Sequence, residues 1–186
     1  MIGPYTILNE ISEEEIRHRV KEIARSIRGE YQHREPVLIG VLNGVFLFFA
    51  DLVREISIPV QIDFVRVASY GTKEVSSGEI TFTKDIELSI AGKSVIIVED
   101  IVDTGLTLSY LVGHIKKKNP ESVKVCALIN KLERREKEVQ IDYCGFEVRR
   151  GFLVGYGLDY NEKFRYLPHI VSLQIGEQCK ESRHDN

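Results

Sequence analysis

Apolar positions along the chain change rhythm several times, and each change marks an element. Ile16, Val20, Ile23 and Ile27 fall at helical spacing behind Ser12 and Glu15. That Ser/Glu pair has capping-box spacing, each side chain accepting from the other's backbone N–H, so a helix is predicted from there to about Gly29. Pro36 introduces Val37 to Leu42, an unbroken apolar run with the length of a strand buried on both faces. Asn43-Gly44 turns the chain out of it, and Val45 to Ile56 continues as a helix apolar nearly all round at first. Pro59 to Ala68 alternates loosely as a longer strand, and 69–79 is polar and bounded by glycines, as a mobile loop would be. Ile80 to Leu88 has the pattern of a strand pair or edge ribbon. Val95 to Val98, Val123 to Ile129, Phe152 to Tyr156 and Ile170 to Leu173 complete the apolar runs.

Strands alternating with helices predict an α/β fold: a central, mostly parallel sheet flanked by helices. Ligands of such sheets lie beyond the carboxyl ends of the strands. With 186 residues the chain (1–186) has the length of one domain, and its polar tail after about 176 is expected to be disordered. The net charge of −3, with no long basic stretch, argues against nucleic acid as a partner. The most apolar stretch, Val45 to Ala50, is too short to cross a bilayer, so no membrane partner is expected. Met1-Ile2-Gly3-Pro4 lacks the opening of a secretory leader. Cys126, Cys144 and Cys179 are odd in number and lack metal-ligand spacing; Cys126 fits a small core residue. A reducing cytoplasm is the expected location.

Residues 95–107 carry the chemistry. The β-branched run Val95 to Val98 is followed at once by Glu99, Asp100 and Asp103, and Thr104-Gly105-Leu106-Thr107 then opens a helix running toward Lys118. A small-residue loop entering a helix offers backbone N–H groups and the positive dipole end to an anion. Three acids beside a bare phosphate would repel it, and a nucleotide P-loop would place a lysine there. The conflict resolves if the ligand has two parts: the loop takes a phosphate, while the acids accept from sugar hydroxyls or hold a divalent metal. A phosphorylated sugar has that form. The alternative is an ordinary parallel strand whose acids are solvated or cap the next helix.

This order of residues resembles the phosphoribosyl-diphosphate (PRPP) signature of type I phosphoribosyltransferases. Four further segments resemble the hypoxanthine-guanine branch of that family, so that the likeness runs from about Val37 to Leu173. The resemblance implies the type I phosphoribosyltransferase fold with a small hood built from the terminal segments. It implies transfer of the 5-phosphoribosyl group from PRPP to N9 of hypoxanthine, and of guanine, with magnesium as cofactor and a homodimer or homotetramer as the assembly.

By the same resemblance, Glu99 and Asp100 hold the ribose hydroxyls directly or through magnesium, and Asp103 takes or shares the N7 proton of the base as N9 attacks. Thr104, Gly105, Leu106 (through its backbone) and Thr107 bind the 5′-phosphate. Leu42, Asn43 and Gly44 form a pyrophosphate loop with a cis peptide between Leu42 and Asn43. Many relatives carry lysine in place of Asn43, so one positive charge is missing here. Ser69 and Tyr70, also assigned to pyrophosphate, begin a loop that closes over the site, which suits chemistry that must exclude water. Lys131 donates to O6 of a 6-oxopurine, Phe152 stacks on the base, and Leu153 offers it backbone groups. Asp159 lies near the base and the metal, and Arg165 reaches pyrophosphate. Taken singly, Asn43-Gly44 is also a plain turn, Phe152 a core aromatic, and Lys131 and Arg165 surface charges. The rival from another class is a regulator of the same fold that senses PRPP or nucleotide. Such regulators usually add a basic surface or a DNA-binding module, and neither stands out in this sequence. A receiver domain fits less well, because its acid pair would sit near the start of the chain.

Overall fold

Ser12 caps the first helix as its spacing requires: its hydroxyl accepts from Glu15 N–H (3.3 Å) and the Glu15 carboxylate accepts from Ser12 N–H (2.8 Å). The computed structural model describes residues 5–69 and 80–175. The elements are β1 (Tyr5–Ile11), α1 (Glu13–Glu30), β2 (Val37–Leu42), α2 (Phe46–Ile56), β3 (Gln61–Ser69), β4 (Ile80–Lys84), β5 (Ser94–Val102), α3 (Leu106–Lys116), β6 (Ser122–Lys131), β7 (Tyr143–Val148), β8 (Phe152–Val154) and β9 (Ile170–Ile175).

Six strands make the main sheet, in the order β4-β3-β2-β5-β6-β7. All pairings are parallel except that of β4, which runs antiparallel to β3 at one edge. The unbroken apolar runs are explained by burial on both faces. In β2, Leu38 joins the core under α1 and α2, while Val37, Ile39 and Val41 join the core under α3. Gly40 lets α2 come close, since a Cβ there would meet the rings of Phe49 and Phe64. Ile39, Ile96 and Ile97 are fully enclosed; truncating one to Ala should cost about 2–5 kcal/mol. Cys126 is a buried core residue, as expected.

The hood is a separate antiparallel sheet of order β1-β9-β8, with its own core of Val154, Phe164, Val171 and Leu173. It is assembled from both ends of the described chain, as the family resemblance implied. Among the described residues, no helix is long and apolar enough to cross a membrane.

The structure corrects several element boundaries. β5 runs to Val102, so Glu99 and Asp100 lie inside the strand rather than after it, carried there by continued pairing with Ala127 and Ile129 on β6. Lys131 is the last residue of β6, which runs past the expected end at Ile129. The strand pair or edge ribbon expected over Ile80 to Leu88 is one edge strand ending at Lys84, because the N–H groups of Glu87 and Leu88 turn to the buried Asp63 carboxylate (2.6 and 2.9 Å). β1 and β7 had no predicted counterpart. Of the loop expected over 69–79, Ser69 instead ends β3 and the rest lies outside the described residues, as does the tail from Gly176 onward.

Candidate active site

The carboxyl ends of β2, β5 and β6 open into a cleft with two adjoining lobes. The first, about 260 Å³, is lined by Leu42 to Gly44 and by Glu99 to Gly105, Thr107 and Leu108. The second, about 290 Å³, is lined by Lys131, Arg134, Phe152, Leu153, Leu158, Asp159 and Arg165. Asn43, Gly44, Asp100, Ile101 and Asp103 border both and form the seam. A larger concavity, about 590 Å³, lies between α1, α2 and the hood, but charged residues there, such as Arg17 with Glu13 and Arg54 with Asp51, are paired with each other.

The first lobe is an acid wall facing a helix N-terminus. Glu99 is half-buried, yet its Oε2 is wholly enclosed and has no hydrogen-bond partner. Burial, and then the charge of Asp100, hold its carboxyl well above the usual carboxylate range. Burial also pushes Asp100 up to about 6, although Ile101 N–H donates to it (2.9 Å) and Arg165 draws it down. Gly44 packs directly on this carboxylate, and any Cβ at Gly44 would coincide with it. The peptide bond between Leu42 and Asn43 is cis, as the resemblance implied. Opposite the acids, Gly105 caps α3 in the left-handed conformation (φ 82°) with no side-chain cap, and Leu106 N–H donates to Thr104 Oγ1 (3.3 Å). That geometry suits an anion.

The second lobe is lined by charges that already have partners. Arg165 Nη2 lies 2.8 Å from Asp159 and 3.0 Å from Glu162, while Nη1 donates to Gly157 O (2.8 Å). Lys131 is 7% exposed, the most enclosed lysine among the described residues, with its Nζ 3.7 Å from Asp103 Oδ1 and 3.6 Å from Glu133. Asp103 Oδ1 is buried and has no hydrogen-bond partner, and Arg134 stands 3.5 Å from the other carboxylate oxygen. Phe152 is 41% exposed at the mouth, its ring edge-on to Tyr160 at 5.3 Å. It is therefore not a core aromatic.

The cleft thus gathers Leu42, Asn43, Gly44, Glu99, Asp100, Asp103, Thr104, Gly105, Thr107, Lys131, Phe152, Leu153, Asp159 and Arg165. Leu106 is not among the lining residues and its side chain is exposed. Ser69 ends β3; its side chain and Tyr70 lie outside what is described. Arg134 and Leu158 were missed. Arg134 sits in a charged run that has the pattern of solvated surface, and nothing local distinguishes it. Among the described residues, no three side chains of metal-ligating type gather closely enough to hold a metal by themselves. A cation beside Glu99, Asp100 or Asp159 would take its remaining oxygens from substrate and water, which is how magnesium is commonly held.

Residues 9–161 match the family model of the phosphoribosyl transferase domain. The hypoxanthine-guanine phosphoribosyltransferase of Bacillus subtilis is 46% identical over 164 residues, covering 88% of this chain and 91% of that protein. A crystal structure of a hypoxanthine-guanine phosphoribosyltransferase from Bacillus anthracis superposes with a TM-score of 0.84 at 43% identity, over 90% of this chain and 99% of the other. A point mutant of the hypoxanthine phosphoribosyltransferase of Trypanosoma cruzi, solved as a ternary complex with substrates, gives 0.84 at 40% identity, over 90% and 95%.

Proposed function

Because the chain belongs to the phosphoribosyl transferase domain family, we propose that it is a purine-salvage enzyme moving the 5-phosphoribosyl group of PRPP to N9 of hypoxanthine and guanine. The bond from ribose C1 to pyrophosphate breaks, the bond from C1 to N9 forms, and the base gives up one proton.

One observation carries the assignment of roles: Lys131 Nζ and Asp103 Oδ1 lie 3.7 Å apart, enclosed, at the seam between the lobes. A 6-oxopurine presents an acceptor at O6 beside a proton at N7. A buried donor next to a buried acceptor complements that edge. Lys131 donates to O6, and Asp103 takes or shares the N7 proton as N9 attacks, a general-base role. Phe152 stacks on the base and Leu153 reads its edge. Thr104 to Thr107 hold the 5′-phosphate at the α3 N-terminus. Leu42, Asn43, Gly44 and Arg165 hold pyrophosphate.

The orphaned Glu99 carboxylate and the enclosed Asp100 suit ribose hydroxyls or a magnesium ion. Glu99, Asp100 and Asp159 would hold that ion, which when bound screens the charge on pyrophosphate. We take the enzyme to act in the cytoplasm and to assemble as a homodimer or homotetramer, which light scattering of the purified protein resolves. The deciding experiment is steady-state turnover of each base at fixed PRPP and magnesium. Hypoxanthine and guanine should react. Adenine should be slower by about ten- to hundredfold, since its amino group faces Lys131 donor to donor and an unpaired buried donor costs about 1–3 kcal/mol. Comparable turnover of adenine would sink the assignment of the base pocket.

A further inference from the structure

Beyond β6 the chain runs Leu132-Glu133-Arg134-Arg135-Glu136-Lys137-Glu138, a stretch exposed at each position except Arg135. The Arg135 side chain turns inward. Its Nη2 stands amid three acceptors: Val102 O (3.1 Å), Lys131 O (3.1 Å) and the Asn130 side-chain oxygen. Val102 ends β5 and precedes Asp103, while Lys131 ends β6, and the ladder between the two strands stops at the pair Val102–Asn130. One planar cation therefore spans the point where the ladder runs out, between the residues that carry the two groups facing the base. The same segment holds the phosphate loop. Glu136 N–H and Lys137 N–H both donate to Thr104 O (2.9 Å each), and Lys137 O packs where a Cβ of Gly105 would lie.

We propose that Arg135 is a positioning residue that fixes Asp103 and Lys131 at their mutual separation, and so sets the pose of the purine against ribose C1. The inference rests on the roles given to Asp103 and Lys131 above. Arg135 touches no reacting atom; it acts through the two strand ends. All three acceptors meet one nitrogen, Nη2, while Nη1 lies beside Gly105, 3.2 Å from where a Cβ would stand; a lysine has a shorter reach and no second nitrogen to place there. A misplacement of about 1 Å in such a pair costs on the order of a hundredfold in rate.

The test is steady-state kinetics of Arg135→Ala and Arg135→Lys, each alone and combined with Asp103→Asn, with unfolding midpoints recorded alongside. Arg135→Ala should lower kcat about ten- to hundredfold while the KM for PRPP changes much less. Arg135→Lys, the variant safer for folding, should keep its unfolding midpoint near wild type and still lose kcat. In the Asp103→Asn background either change should cost less than it does alone, because one of the two groups being positioned is already gone. Wild-type kcat in Arg135→Lys, a loss that falls on PRPP KM alone, or a loss that adds in full to that of Asp103→Asn would each overturn the proposal. Those outcomes leave the purine-salvage reading standing. Absence of turnover by the wild-type protein would overturn both.

Discussion

The two lobes of the cleft are prepared for their ligands in opposite ways. In the lobe bordered by Glu99 to Thr107, acid groups are enclosed with oxygens left unpartnered, and burial holds Glu99 and Asp100 toward their neutral forms. In the lobe bordered by Lys131 to Arg165, the charges are already matched, Arg165 by Asp159 and Glu162, and Lys131 by Asp103 and Glu133. The first lobe needs a ligand that brings donors or positive charge. The second needs one that exchanges existing partners for its own. An unsatisfied buried group costs more than a paired one, so the first lobe carries the larger standing cost to stability.

Asp103, at the seam, belongs to both lobes, and its removal should have the largest effect. Asp103→Asn keeps the shape and deletes the proton acceptor, so turnover should fall about 10²–10⁴-fold with little change in PRPP binding. Weakened PRPP binding with turnover retained would assign Asp103 to the first lobe as a structural residue.

Stability against pH sharpens the contrast next. Asp100 sits at about 6 in the folded protein against an ordinary 3.8, so between those values the folded state holds a proton that the unfolded chain has released. Stability from this group is full below about pH 3.8 and declines as pH rises toward 6, and Glu99 acts in the same direction. Asp63 works oppositely: burial pushes it up, but the N–H groups of Leu88, Phe64 and Glu87 outweigh burial and lower it. Its contribution is lost only as pH falls below 3.8. Asp100→Asn, free of metal and PRPP, should therefore be more stable than wild type at pH 7.5 by about 2–3 kcal/mol, with much of that gain gone at pH 4.5. Urea unfolding at the two pH values reads this, and equal stabilities at pH 7.5 would mean the first lobe carries no such cost.

Arg165→Ala tests the second lobe. Pyrophosphate must take this cation from Asp159 and Glu162, so its loss should weaken PRPP and pyrophosphate binding by about 1–3 kcal/mol, roughly ten- to hundredfold. Unchanged affinity by titration calorimetry would leave Arg165 holding only its own loop. The smallest effect expected is at Asn43, which borders both lobes. Asn43→Lys in the Arg165→Ala background should recover about 1 kcal/mol of PRPP binding. The recovery should shrink as salt rises, since it rests on charge; recovery indifferent to salt would point to packing instead.

These lobes were unequally legible in the sequence. Glu99 to Thr107 is continuous in the chain, so a buried strand, three acids and a small-residue helix start could be read in order, and β2, β5 and α3 emerged with small errors at their ends. That Glu99 and Asp100 remain inside β5 was not legible, because it depends on pairing with β6. The second lobe is assembled from separate segments spread over 131–165, and only family likeness picked out Lys131, Phe152, Asp159 and Arg165. Its ion pairs and the inward turn of Arg135 have no local signature. β7 escaped notice because Gly145 interrupts a short edge strand of mixed burial.

The hood has a consequence in time as well as in space. β9 lies between β1 and β8, and β1 meets it about 160 residues later in the chain. At about 5–20 residues per second of synthesis, β1 waits roughly ten to thirty seconds for its partner. The acid-lined lobe, built around the ends of β2 and β5 and the start of α3, has these elements well before that moment. Phe152 lies on β8, which among the described residues pairs only with β9. A nascent chain therefore acquires the elements of its sugar-phosphate side first, and the purine platform is completed last.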